Sequence, residues 1–108
     1  MAKLEFTSNE NFDALLKKIE KGILGGSVSA SLEDSSDFQS GGARCSVRVF
    51  ERFSYSGGNR VSMNVTLFQN GDEPISISAI TAGGSSALFH KINTFGEEAF
   101  LDKLREIL

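Results

Sequence analysis

Four of the five arginines of this chain crowd into one short segment: Arg44, Arg48, Arg52 and Arg60. A guanidinium presents a planar fork of donors that suits phosphates and carboxylates. Arginines four apart on a strand stand about 13 Å from each other on one face. That spacing suits two phosphates, or two carboxylates of a partner. Asn64 joins them, because the pairing argued below sets it opposite Arg52. These five residues are the candidate binding set. The same residues also fit a solvated sheet face or a subunit interface. Sheets that read nucleic acid interleave stacking aromatics with the basic residues. Only Phe50 and Phe68 could do so here, and the net charge is -3, so nucleic acid is not an expected partner.

The remaining reactive groups are sparse. Cys45 and His90 are the single cysteine and the single histidine. They lie on separate segments with no flanking motif, so they do not read as a nucleophile and its base. Structural zinc wants four Cys or His ligands. Glu33, Asp34 and Asp37 lack EF-hand spacing and read as a solvated acidic loop. Ala82-Gly83-Gly84-Ser85-Ser86 is Gly-rich but matches neither nucleotide-binding fingerprint, and reads as a plain turn. Glu51 falls on the apolar parity of its strand. A β-bulge at residues 49–51, turning Phe50 inward and Glu51 outward, is the preferred explanation over a buried carboxylate. No enzyme, metal or cofactor is expected.

These groups need elements to hold them. From Ala43 to Phe68 the chain alternates with period two, which means strands. Cys45, Val47, Val49, Phe53 and Tyr55 share one parity, and the arginines share the other. Val61, Met63, Val65 and Leu67 then alternate with Arg60, Ser62, Asn64 and Thr66. The expected hairpin turns at Ser56-Gly57-Gly58-Asn59, with Ser56 paired to Arg60, Arg52 opposite Asn64 and Arg48 opposite Phe68. Cys45 is then buried and inert. Lys3-Leu4-Glu5-Phe6 reads as a first strand. Thr7-x-x-Glu10 reads as a capping box for a helix whose stripe is Phe12, Leu15, Leu16, Ile19 and Ile23. Gly22 or Gly25-Gly26 ends it. Residues 27–33 alternate as another strand, and residues 34–42 read as a polar loop. Asn70-Gly71-Asp72-Glu73-Pro74 is a turn before an alternating strand at residues 75–79. Residues 87–92 are ambiguous between strand and helix. Thr94-x-x-Glu97 reads as the capping box of a last helix striped by Phe100, Leu101, Leu104, Ile107 and Leu108.

The order β-α-β4-α specifies one α+β domain over residues 1–108, an antiparallel sheet with both helices on one face. A chain of 108 residues can bury a sufficient core without a disulfide or metal. The nine Phe, with no Trp and one Tyr, predict a phenylalanine-rich core. The first residues carry no signal-peptide pattern, and no run is apolar enough for a membrane span, so the expected home is the cytoplasm.

This order resembles the helix-grip and TATA-box-binding-protein-like folds. The segments Asn11-Phe12-Asp13, Gly25-Gly26-Ser27-Val28-Ser29-Ala30, Ser56-Gly57-Gly58-Asn59-Arg60 and Asn93-Thr94-Phe95-Gly96-Glu97-Glu98 resemble a family of small bacterial proteins, mainly from Firmicutes, that is a domain of unknown function. That resemblance implies no active site. The expected function is a non-catalytic interaction domain that self-associates through its sheet, as a homo-oligomer. The alternatives are an apolar small molecule held between sheet and C-terminal helix, and nucleic-acid or anion binding through the arginine face.

Overall fold

The computed structural model describes residues 1–53, 60–83 and 90–108, with the side chains of residues 90–95 excepted. In chain order the elements are β1 (Ala2–Ser8), α1 (Phe12–Gly25), β2 (Ser31–Ser40), β3 (Ala43–Phe53), β4 (Arg60–Asn70), β5 (Ile75–Gly83) and α2 (His90–Ile107). The strands form one five-stranded sheet in the order β1-β5-β4-β3-β2, and every neighbouring pair is antiparallel. The expected α+β order is the one observed.

Helix α1 begins at a different cap from the expected box. Asn11 is the N-cap, and its side chain accepts from the Ala14 amide at 3.0 Å. Glu10 instead reaches Lys18 at 2.8 Å. Asn is as good a cap as Thr, and here it stands directly before the stripe. Phe12, Leu15, Leu16, Ile19 and Ile23 are buried as expected, and Gly26 closes the helix by donating its amide to the Ile23 carbonyl. Gly22 does not end the helix. It lies where α1 crosses α2, and a Cβ there would fall 2.4 Å from Ile107 Cδ1. In α2, residues 90–93 are already helical, so Thr94 sits inside the helix and not at its N-terminus. Glu97 is buried, with its carboxylate 2.5 Å from the Met1 amino group.

The polar run expected as a loop is strand β2. It is an edge strand exposed on both sides, so no alternation marks it. Residues 27–30 precede it, and Val28 there is fully exposed. Gly41, at φ 57°, makes the tight turn to β3 with Ser40 paired to Ala43. Gly71, at φ 58°, makes the expected turn to β5. The amide of Gly71 donates to the Gly42 carbonyl at 2.8 Å, which ties the two turns together.

The core lies between the helices and one sheet face. Val61, Met63, Val65 and Leu67 of β4 and Ile75, Ile77 and Ala79 of β5 meet both helix stripes there, with Phe50 of β3 beside them. Burying each of the larger side chains stabilises the fold by about 1.5–3 kcal/mol before entropy is counted.

Candidate functional site

The structure reverses the expected faces of β3. Phe53 pairs with Arg60, Arg52 with Val61, and Arg48 with Val65. Directly opposed residues share a face, so Ser46, Arg48, Phe50 and Arg52 point at the helices. The expected partners of Arg52 and Arg48, Asn64 and Phe68, are opposite Val49 and Cys45 instead. Glu51 therefore faces outward without a bulge in β3. The irregularity lies at Glu33 of β2, between Leu32 and Asp34. The expected turn residues 56–59 and Tyr55 lie outside the described residues, as do Gly84, Ser85 and Ser86. Of the ambiguous segment, residues 90–92 are helical.

Arg44, Arg48 and Arg52 are thus not an exposed binding face. They hold the helices to the sheet. Arg44 donates to Asp13 of α1 at 2.7 Å and lies over the Phe12 ring, 3.9 Å from its centroid. Arg48, its side chain only 10% exposed, donates to Glu20 of α1 at 2.9 Å and reaches Asp37 of β2 at 3.1 Å. Arg52 is 3% exposed and lies over Phe100 of α2, 4.6 Å from the ring centroid. Burial alone would push the Arg48 guanidinium down. Hydrogen bonds to Glu20 and Asp37 outweigh that effect and hold it above its ordinary value. The Ser46 hydroxyl, with Arg48 behind it, holds the Asp37 carboxyl below the usual range. Arg44 does the same for Asp13. These charges lie between the sheet and the helices and are desolvated in part, and each has a partner in reach.

Of the predicted binding set, Arg60 and Asn64 do lie on the helix-free face. Arg60 donates to Glu51 at 2.9 Å, and its guanidinium stands 5.7 Å from the Phe53 ring centroid and 3.8 Å from Glu33. Asn64 accepts from the Thr66 hydroxyl at 2.9 Å. An open cleft of about 560 Å³ lies between Glu51, Arg60, Ser62, Ala82 and Gly83.

The helix-free face carries apolar residues that sequence reasoning assigned to the core or to a loop. Phe38 is 65% exposed, Phe53 53% and Phe68 45%. Cys45 sits between Phe38 and Phe68 across three strands and is half-buried, not enclosed as expected. These three residues line a groove of about 280 Å³. Val47, Val49 and Ile80 continue the apolar surface toward the middle of the face, among Ser, Thr and Asn. The available signal was Phe38, a lone aromatic inside a polar run.

Among the described residues no three His, Cys, Asp or Glu side chains come together as a metal site would need. No described helix is long and apolar enough to cross a membrane. Fold and site together define a small α+β domain, an open antiparallel sheet with two helices on one face and a mixed apolar surface on the other. The chain belongs to a family of unknown function, DUF6054, whose model matches residues 1–108. No curated protein and no solved structure matches it.

Proposed function

We propose that the chain is a non-catalytic interaction domain whose partner is a second copy of itself, held through the helix-free sheet face. The observation that carries this reading is the set of three exposed phenylalanines on that face: Phe38, Phe53 and Phe68. Phe38 and Phe68 flank Cys45 at one end of the face and Phe53 stands eight residues along β3 at the other, and exposed apolar side chains on one uncovered surface mark interaction sites. The area is also adequate. Five strands of 7 to 11 residues present a face of about 24 Å by about 33 Å. That is roughly 800 Å², the area each partner buries in a standard interface.

The sheet edges are poorer candidates. Strand β2 carries Glu33, Asp34 and Asp37 and is broken by the irregularity at Glu33, a device that blunts edge pairing. The other readings have less support. The space between sheet and helices is filled by Phe50, Met63, Phe100 and their neighbours. The cleft at the rim of that layer, between Leu4, Phe6, Arg105 and Leu108, holds about 170 Å³, below the ~300 Å³ of a ligand pocket. Three of the four candidate arginines are spent on the helices, which weakens the case for nucleic acid. The family resemblance and the lone cysteine fit a reducing bacterial cytoplasm.

Light scattering on a size-exclusion column tests the reading, with wild type beside Val47→Glu/Val49→Glu. A wild-type dimer that becomes a folded monomer in the variant supports it. A wild-type monomer at high micromolar concentration ends it.

A further inference from the structure

This inference rests on the reading that the helix-free face takes a second copy. We infer that the two copies stack about a two-fold axis running along β4, so that each outward residue of β4 meets its own counterpart and β3 of one copy lies over β5 of the other.

The face is laid out in cross-strand rows. One row runs Asp34, Val49, Asn64, Ile80, Lys3 from β2 to β1. Its two ends carry opposite charges and its quarter points are apolar. An axis along β4 reverses the row. Val49 then lies over the partner copy's Ile80, twice by symmetry, and Asp34 lies over Lys3, also twice. The next rows follow the same rule. Val47 meets Ser78, Phe68 meets Phe68, Phe38 meets Thr7 and Glu51 meets Ala82.

An axis running across the strands through the same row does the reverse. It sets Asp34 against Asp34, and sets Lys3, already paired with its own Glu5 at 3.0 Å, against Lys3. Two carboxylates brought face to face at Asp34 are penalised. An axis along β4 has one charged self-contact, at Arg60. Each Arg60 already donates to its own Glu51 at 2.9 Å, so two paired groups meet there rather than two bare cations. Sheets packed face to face keep their strands roughly aligned at about 10 Å, which this axis satisfies.

Three single-cysteine variants in a Cys45→Ser background test the geometry, with a short bismaleimide as cross-linker. Thr66→Cys is expected to link to itself. Val49→Cys alone is expected to stay unlinked, and to link when mixed with Ile80→Cys. Asp34→Lys should weaken the dimer about tenfold, and Lys3→Asp/Asp34→Lys should restore it. All of these positions are outward-facing, so folding survives. A dimer in which Val49→Cys links to itself overturns the β4 axis while self-association stands. A monomer by light scattering overturns both.

Discussion

Arg48 of β3 and Glu20 of α1 meet at 2.9 Å across the layer between sheet and helix. Arg44 and Asp13 meet beside them at 2.7 Å. The two acids are seven residues apart on a helix, about 10.5 Å along its axis. The two arginines are four apart on a strand, about 13 Å. Two turns of helix therefore match two pleats of strand, and α1 is pinned parallel to β3. Arg48→Ala leaves Glu20 facing a half-dry layer without its cation. The expected loss is about 2 to 3 kcal/mol of stability, read as a lower urea midpoint with an unchanged m value. Arg48→Met should lose less than Arg48→Ala, because the aliphatic stem still packs. Equal losses would mean that the stem packing contributes nothing and that the lost charge accounts for the whole effect.

Acid should loosen the same latch. Asp37 and Asp13 titrate below the usual range in the folded protein, held there by Ser46 with Arg48 and by Arg44. A carboxyl with a depressed folded pKa favours the folded state above its unfolded pKa, about 3.9 for Asp. That contribution disappears as the pH falls through the folded pKa. Stability should therefore be level above about pH 5 and decline below about pH 4. Ser46→Ala removes the leading cause at Asp37. Its carboxyl should then titrate closer to the ordinary value in a carbon-13 NMR titration, while Asp13 stays put. An unmoved Asp37 would show that the Ser46 hydroxyl does not hold it.

Gly22 is where α1 crosses α2. Alanine is the better helix former by about 1 kcal/mol, yet its Cβ would fall 2.4 Å from Ile107 Cδ1 and Cγ1. Overpacking of this kind costs about 1 to 3 kcal/mol. Gly22→Ala should therefore destabilise, and Gly22→Ala/Ile107→Ala should be more stable than the sum of its single changes predicts. Thermal melts of the four proteins in a double-mutant cycle check this. Strict additivity would mean the helices do not touch at this point.

The element order, the α1 stripe, the inward parity of β4 and β5 and the Gly71 turn were legible because each rests on a local pattern with one reading. The face of β3 was not. Both of its parities carry apolar residues, Cys45, Val47, Val49 and Phe53 on one side and Phe50 on the other. Counting hydrophobes then favours the wrong side. The inner side faces α1 at Arg44 and Arg48, and it takes arginines there because α1 offers Asp13 and Glu20. The signal was in the sequence, as the match of seven helical residues to four strand residues, but it joins segments far apart in the chain. Strand β2 was missed for a simpler reason. An edge strand wet on both faces has no hydrophobic period to find.

The surface left by this arrangement can be probed with the native thiol. Cys45 is half-buried on the helix-free face, with Phe38 and Phe68 on either side of it. In a monomer its rate constant with a disulfide reagent does not depend on protein concentration. If a second copy covers the face, the rate should fall as concentration rises through the dissociation constant, by about tenfold where access is the limiting factor. Val47→Glu/Val49→Glu should abolish that dependence and keep Cys45 as reactive as in dilute wild type. Arg48→Glu cannot serve in its place. It would set a third carboxylate beside Glu20 and Asp37 inside the fold, and its expected result is an unfolded chain whose thiol reacts fast at every concentration. A native Cys45 that reacts at one rate from nanomolar to millimolar protein would leave the exposed phenylalanines without the partner proposed for them.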